Sequence, residues 1–258
     1  MTELTAIEGA SGFVKVQKSS EGVWHLILNR PERKNALSVL MYADLAKTLI
    51  EFTAETSARV LVLSGAGGCF TSGNDLADFA ASGGVINDDA PIWQFMVALR
   101  DCPKPVVVAV DGLAIGIGVT LLLHVDAVFA APNATFAMPF AKLGLCPEFA
   151  SSILLPPLAG ALKSNEWLLL GEPFNAEEAL AGRLINAVTA EPLAAALMHA
   201  NKLAAMPPKA IATTKQLLKA PLKDAVINTM DVEAELFRQA LAGPEFAEAV
   251  AVFFGSKK

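Results

Sequence analysis

Residues 106–131 read VVVAVDGLAIGIGVTLLLHVDAVFAA, a strongly apolar stretch interrupted by Asp111, His124 and Asp126. Its uninterrupted part, residues 112–123, falls short of the roughly 20 apolar residues that a membrane-spanning helix needs, so the stretch reads as protein core. The runs at 106–110 and 125–130 are short and largely apolar, with valine recurring and only Asp126 polar, the pattern of strands buried on both faces. Between them Gly112, Gly116 and Gly118 make a turn, and a helix is expected to begin near Ile117. The first amides of such a helix have no intrahelical partner and attract negative charge. The same glycines would equally permit close packing of helix on strand, and this segment alone leaves both readings open. Gly116-Ile-Gly118 is followed by Val119-Thr-Leu121, so the dinucleotide-binding fingerprint is incomplete.

Working outward, the arrangement recurs. The apolar run VLVL at 60–63 precedes a second glycine turn, CFTSGNDL at 69–76. Two such turns could aim amides at one point and form an oxyanion hole, although a plain loop in which Asp75 caps the next helix is the simpler alternative. Upstream, the runs at 13–17 and 23–29 flank Ser-Ser-Glu-Gly and predict a hairpin. After Arg30-Pro31, the spacing of Leu37, Leu40, Met41, Leu45, Leu49 and Phe52 predicts an amphipathic helix. Repeated strand and helix units with continuous apolar strands predict an α/β domain covered on both faces. Residues 83–91 form a polar stretch expected to be a loop. Beyond Glu177 the chain is alanine-rich, and past Met206-Pro-Pro-Lys209 the segments 210–220 and 224–241 read as helices without strands between them. The expected organisation is a core over residues 1–200 and a helical C-terminal region over 201–258.

Composition narrows the function. A chain of 258 residues, 53% hydrophobic and 18% charged, can bury a large core. Its net charge of −6 argues against a nucleic-acid partner. Cys69, Cys102 and Cys146 have neither zinc spacing nor a disulfide pattern, so no metal is expected and a reducing compartment fits. Residues 1–20 carry Glu3 and Glu8 and lack an apolar run behind a basic start, which predicts a cytoplasmic protein without a membrane segment. No Gly-x-Ser-x-Gly elbow or Walker motif is present, and His25, His124 and His199 have no adjacent nucleophile.

FTSGNDL at 70–76 together with AVDGLAIGIG at 109–118 resembles the two oxyanion motifs of the crotonase (enoyl-CoA hydratase/isomerase) superfamily. NRP at 29–31 before NAL at 35–37 matches that family's N-terminal loop, and AEEALAGRLI at 176–185 its helix after the core. The resemblance covers nearly the whole chain. It implies an α/β spiral of strand-strand-helix units with a helical C-terminal region used in assembly as a homotrimer or dimer of trimers. It also implies an acyl-CoA thioester substrate, with coenzyme A as part of that substrate and no separate cofactor. The backbone amides of Asn74 and Ile117 would hold the thioester oxygen. Around the substrate the resemblance places Arg33, Lys34 and Ala36 of the N-terminal loop, Ser72, Gly73, Asp75 and Leu76 of the first turn, and Gly116 of the second.

The hydratase branch of the family uses two glutamates, and the matching positions hold Thr120 and Phe140. PEFASS at 147–152, following TFAMPFAKLG at 135–144, instead resembles the peroxisomal-type Δ3,Δ2-enoyl-CoA isomerases, in which the glutamate matching Glu148 is the base. In its uncharged surroundings a carboxyl at 148 would be partly desolvated and so a better base near neutrality. The plainer alternative is that Pro147-Glu148 opens a helix and interacts with its dipole. Asp75 and Asp78 are rival carboxylates, the first expected to cap a helix and the second to face solvent. Arg30, Arg33 and Lys34 could meet the phosphates of coenzyme A, and Phe136, Met138 and Phe140 could line an acyl pocket.

Overall fold

The computed structural model describes residues 5–81 and 89–255; of the expected polar loop, residues 83–88 lie outside the described residues. Among the described residues the main sheet has seven strands in the order β1-β2-β3-β4-β5-β7-β10. These are β1 (Thr5–Glu8), β2 (Val14–Lys18), β3 (Val23–Leu28), β4 (Val60–Gly65), β5 (Val106–Val110), β7 (Ala127–Ala130) and β10 (Ala187–Val188). A second sheet joins β6 (Leu113–Ile115), β8 (Thr135–Ala137) and β9 (Phe174–Asn175). The expected hairpin forms between β2 and β3, with Val14 opposite Leu28, and from β3 through β10 the pairing is parallel.

The valine-rich strands are apolar throughout because both faces are covered. On one face Leu61, Leu63, Val106, Val108 and Val110 join the large core beneath α1 (Val39–Ala54) and α3 (Pro91–Arg100); α2 (Leu76–Ala81) lies between those two helices in the chain. On the other, Val60, Val62, Val107 and Ala109 meet Ala196, Ala200 and Ala204. Those alanines recur every four residues, so their small side chains form one stripe that lets a helix lie close on the sheet.

Two boundaries shift from their expected positions for local reasons. The helix α1 begins two residues late because the Ser38 hydroxyl accepts the Met41 amide as an N-cap, while Leu37 bridges to Asn74. Within it Leu40 is 63% exposed and Tyr42 occupies the buried stripe instead. The strand expected from 125 starts at Ala127, and Asp126 turns aside to accept the Val106 amide and pair with Lys215. The helix near Ile117 is the short α4 (Ile117–Thr120), followed by a 3-10 turn.

Beyond it run α5 (Ser151–Ala159), α6 (Ala161–Asn165), α7 (Ala176–Ala181) and α8 (Pro192–Ala204). The last passes through residue 200 while still covering the sheet. It is followed by α9 (Pro208–Lys219), α10 (Lys223–Leu241) and α11 (Pro244–Gly255), with no strand among them. Among the described residues no helix is long and apolar enough to cross a membrane.

Candidate active site

The two glycine turns lie side by side as a miniature parallel ladder. The amides of Phe70 and Thr71 donate to Asp111 and Leu113 carbonyls at 2.7 and 2.8 Å, and Ile115 returns a bond to Thr71 at 3.1 Å. Gly73, at φ 88°, is required here: a Cβ on it would stand 2.8 Å from the Ile115 carbonyl oxygen. Leu37 bonds the residues on either side of Asn74, which leaves the Asn74 amide outside the ladder. Ile117 opens α4, so its amide has no intrahelical acceptor. Among the described residues neither amide has a protein acceptor. In front of the second turn there is open space, since a Cβ on Gly116 would meet nothing within 4 Å.

Glu148 reaches this region from a loop and not from a helix. Phe149 and Ala150 both have left-handed backbones, with φ of 57° and 55°, and α5 starts only at Ser151. The reading of Glu148 as a helix-opening residue is therefore corrected. Its side chain is 4% exposed and accepts the Thr120 hydroxyl at 3.2 Å. Burial drives its pKa up to about 8, opposed by the Thr120 hydrogen bond and reinforced by the charge of Glu233. One turn of α4 thus links the Ile117 amide to the group that holds Glu148. A second link runs through Tyr42, which donates its hydroxyl to the Asn74 side chain; burial first and then the charge of Glu148 raise its pKa well above the ordinary value.

Of the other residues expected around a substrate, Arg33 and Lys34 are exposed, and their carbonyl oxygens accept the Ser72 hydroxyl and amide at 3.5 and 3.0 Å. Arg30 does not join them as a free cation. Its guanidinium binds Asp75 at 2.8 Å and the Ala36 carbonyl at 3.2 Å. Burial pushes the Asp75 carboxyl up, but the Arg30 hydrogen bond and charge outweigh it and lower its pKa. Asp75 accepts the Asp78 amide at 3.4 Å at the start of α2, whose first residue is Leu76. Asp78 is only partly solvated: it accepts the Val39 amide at the start of α1. Phe136, Met138 and Phe140 are buried, with Phe136 stacked on Phe174 and Phe140 edge-on to Phe237.

Sequence reasoning assigned no role to four residues that shape this site. Asn35, fully buried, donates to the Ala66 and Cys69 carbonyls and accepts the Arg30 amide, fastening the N-terminal loop to the first turn. Tyr42, Glu233 and His124 are the others. Tyr42 is the only tyrosine in the chain, and its place on the apolar face of α1 was the one available signal.

Residues 18–258 match the family model described as enoyl-CoA hydratase/isomerase. The chain belongs to that family. The crotonase resemblance of the glycine motifs and the α/β architecture are thereby met. The chain is similar to rat enoyl-CoA delta isomerase 2, at 32% identity over 96% of this chain and 66% of that protein. It is also similar to 1,2-epoxyphenylacetyl-CoA isomerase of Escherichia coli, at 36% identity over 92% of this chain and 94% of that one. It thus spans only about two thirds of the rat relative, and 56% of the mouse peroxisomal enoyl-CoA delta isomerase 3. Among solved structures, an enoyl-CoA hydratase/isomerase from Pseudoalteromonas atlantica superposes with a TM-score of 0.89 at 37% identity, covering 95% of this chain and 97% of that one. Pseudomonas aeruginosa OdaA gives 0.90 at 41% identity, covering 93% and 98%.

Proposed function

We propose that the protein is a Δ3,Δ2-enoyl-CoA isomerase in which Glu148 is the only acid-base group. The observation that carries this reading is one buried carboxyl, its pKa raised to about 8, tied through Thr120 to the helix turn that presents the Ile117 amide. Glu148 takes a proton from C2 of a 3-enoyl thioester, and the electron pair spreads into the carbonyl as a dienolate. The amides of Asn74 and Ile117 stabilise the oxygen that becomes negative. Glu148 then returns the same proton to C4, so the double bond moves to C2 and the atoms of substrate and product balance without a metal, water or redox cofactor. Arg33 and Lys34, both exposed, are suited to the phosphates of coenzyme A. Leu217 and Leu218, 67% and 77% exposed on α9, support the reading of the C-terminal helices as an assembly surface of a homotrimer.

Incubation with 3-enoyl-CoA esters of several chain lengths should produce conjugated 2-enoyl-CoA, followed by its absorbance. Crotonyl-CoA should be hydrated negligibly, because Thr120 and Phe140 cannot activate water and each missing acid-base group is worth about a hundredfold or more. Rapid hydration or hydrolysis with no isomerisation would replace this reading with one of those reactions.

A pH profile gives a second check. The base must be ionised in the free enzyme, so kcat/KM should rise about tenfold per pH unit through pH 6 and 7 and level off near pH 8. A profile already flat above pH 5 would show that Glu148 is not the titrating base.

A further inference from the structure

Left-handed backbone at two consecutive residues that are not glycine is costly, roughly 1 kcal/mol or more for each, and persists only where surrounding contacts hold it. Phe149 and Ala150 form such a pair immediately after Glu148. Two side chains from distant parts of the chain grip it. His124 donates its Nε2 proton to the Phe149 carbonyl at 2.7 Å and stacks on the Phe149 ring at 3.9 Å. Glu233, from the middle of α10, accepts the Ala150 amide at 2.6 Å, the Ser152 amide at 3.1 Å and the Ser152 hydroxyl. The N-cap residue of α5 is Ala150, which offers no side-chain acceptor, so Glu233 supplies from α10 the capping that this helix lacks.

Glu233, when ionised, also opposes the ionisation of Glu148, while burial raises its own carboxyl pKa against the hydrogen bonds from Ser152 and Ala150. Tyr42 from α1 and Cys146 from the same loop are the other titratable groups in electrostatic contact with Glu148. Burial raises the first well above its ordinary range and the second to about 11, so both are neutral between pH 5 and 9. His124, whose pKa burial pushes down to about 3, is neutral there too. Thr120 contributes a hydrogen bond and no charge.

We propose that Glu233 is a positioning residue for the reaction: its carboxylate fixes the left-handed turn that delivers Glu148 and brings a second carboxylate to that turn. Two roles follow from one group, one through geometry and one through the field. This inference rests on the reading of Glu148 as the base.

Two variants separate the roles. Glu233→Gln removes the charge while keeping the length of the side chain. It should move the acid limb of kcat/KM to lower pH by about one unit, because the like charge no longer opposes ionisation of Glu148. Glu233→Asp keeps the charge but withdraws it from the amides. It should lower kcat by about tenfold to a hundredfold through misplacement of Glu148, with KM within about twofold. A group that merely caps α5 would cost melting temperature in both variants and leave the pH limb and kcat of the folded enzyme unchanged; that result overturns the proposal. If Glu233→Gln does not fold, the kcat of Glu233→Asp decides alone. Infrared titration of the Glu148 carboxyl, isolated as the difference from a Glu148→Gln protein, reads the same coupling without turnover. A Glu148 titration that stays in place in Glu233→Gln overturns the link to Glu233, whereas wild-type protein inert toward every 3-enoyl-CoA overturns the isomerase reading instead.

Discussion

Glu148→Gln is expected to lower isomerase kcat by about a thousandfold or more, with KM and acyl-CoA binding within a fewfold of wild type. The amide can still accept the Thr120 hydroxyl, as the carboxyl does now at 3.2 Å, so the loop should keep its place while losing the ability to take and return a proton. Asp75→Asn supplies the comparison: it weakens the pair with Arg30 and should be much milder in kcat. The same Glu148 substitution should make the protein more stable at alkaline pH. Folding raises the carboxyl pKa from its ordinary 4.5 to about 8, so between those values the folded chain holds a proton that the unfolded chain has released. The stability conferred by the neutral carboxyl is complete below about pH 4.5 and is lost as pH rises through 8. Glutamine never ionises, so the melting-temperature gain of the variant over wild type should grow from pH 5 to pH 8 and then level off. A folded Glu148→Gln enzyme with wild-type turnover would remove the central residue from this mechanism. A stability difference independent of pH would show that the carboxyl is not the desolvated acid described here.

What was legible in the sequence was whatever depends on local pattern. The β2–β3 hairpin, the valine strands and the α1 stripe follow from periodicity, and the two glycine turns stand where the quoted motifs lie. What stayed hidden depends on contacts between distant positions. Glu233 meets Ala150 across 83 residues and Tyr42 meets Asn74 across 32, and no spacing rule links them. The alternative that Pro147-Glu148 opens a helix fails for the same reason. Phe149 and Ala150 have no intrinsic preference for left-handed backbone, and only the grip of His124 and Glu233 makes it tenable. Arg30, grouped with Arg33 and Lys34 as a candidate for the phosphates of coenzyme A, is held by Asp75 from the first turn. Asp78, expected in water, fills the amide at the start of α1.

Gly116→Ala is expected to leave the fold intact and lower kcat by about a hundredfold, the loss typical of one oxyanion donor. Gly116 has φ 58° and ψ −118°, a conformation open to glycine and strained for any residue with a Cβ. A Cβ placed there meets nothing within 4 Å, so crowding adds nothing to the effect and the whole burden falls on the backbone. The neighbouring atoms limit how the strain can relax. The Gly116 amide is bound to the Ala137 carbonyl at 2.8 Å, and its own carbonyl accepts the Val119 and Thr120 amides at 2.8 and 3.1 Å. Relief must come from rotating the peptide between residues 116 and 117, which re-aims the Ile117 amide and loosens the turn that carries Thr120 to Glu148. Gly118→Ala is the contrast, since a Cβ there would stand 2.6 Å from the Thr71 methyl group. It should cost melting temperature through packing, with kcat of the folded enzyme changed much less. The two glycines would then divide the roles that the sequence left undecided, with Gly118 permitting close approach and Gly116 presenting an amide. A folded Gly116→Ala enzyme with near-wild-type kcat would show that the Ile117 amide contributes nothing to the transition state, and the oxyanion site would have to be rebuilt around Asn74 alone.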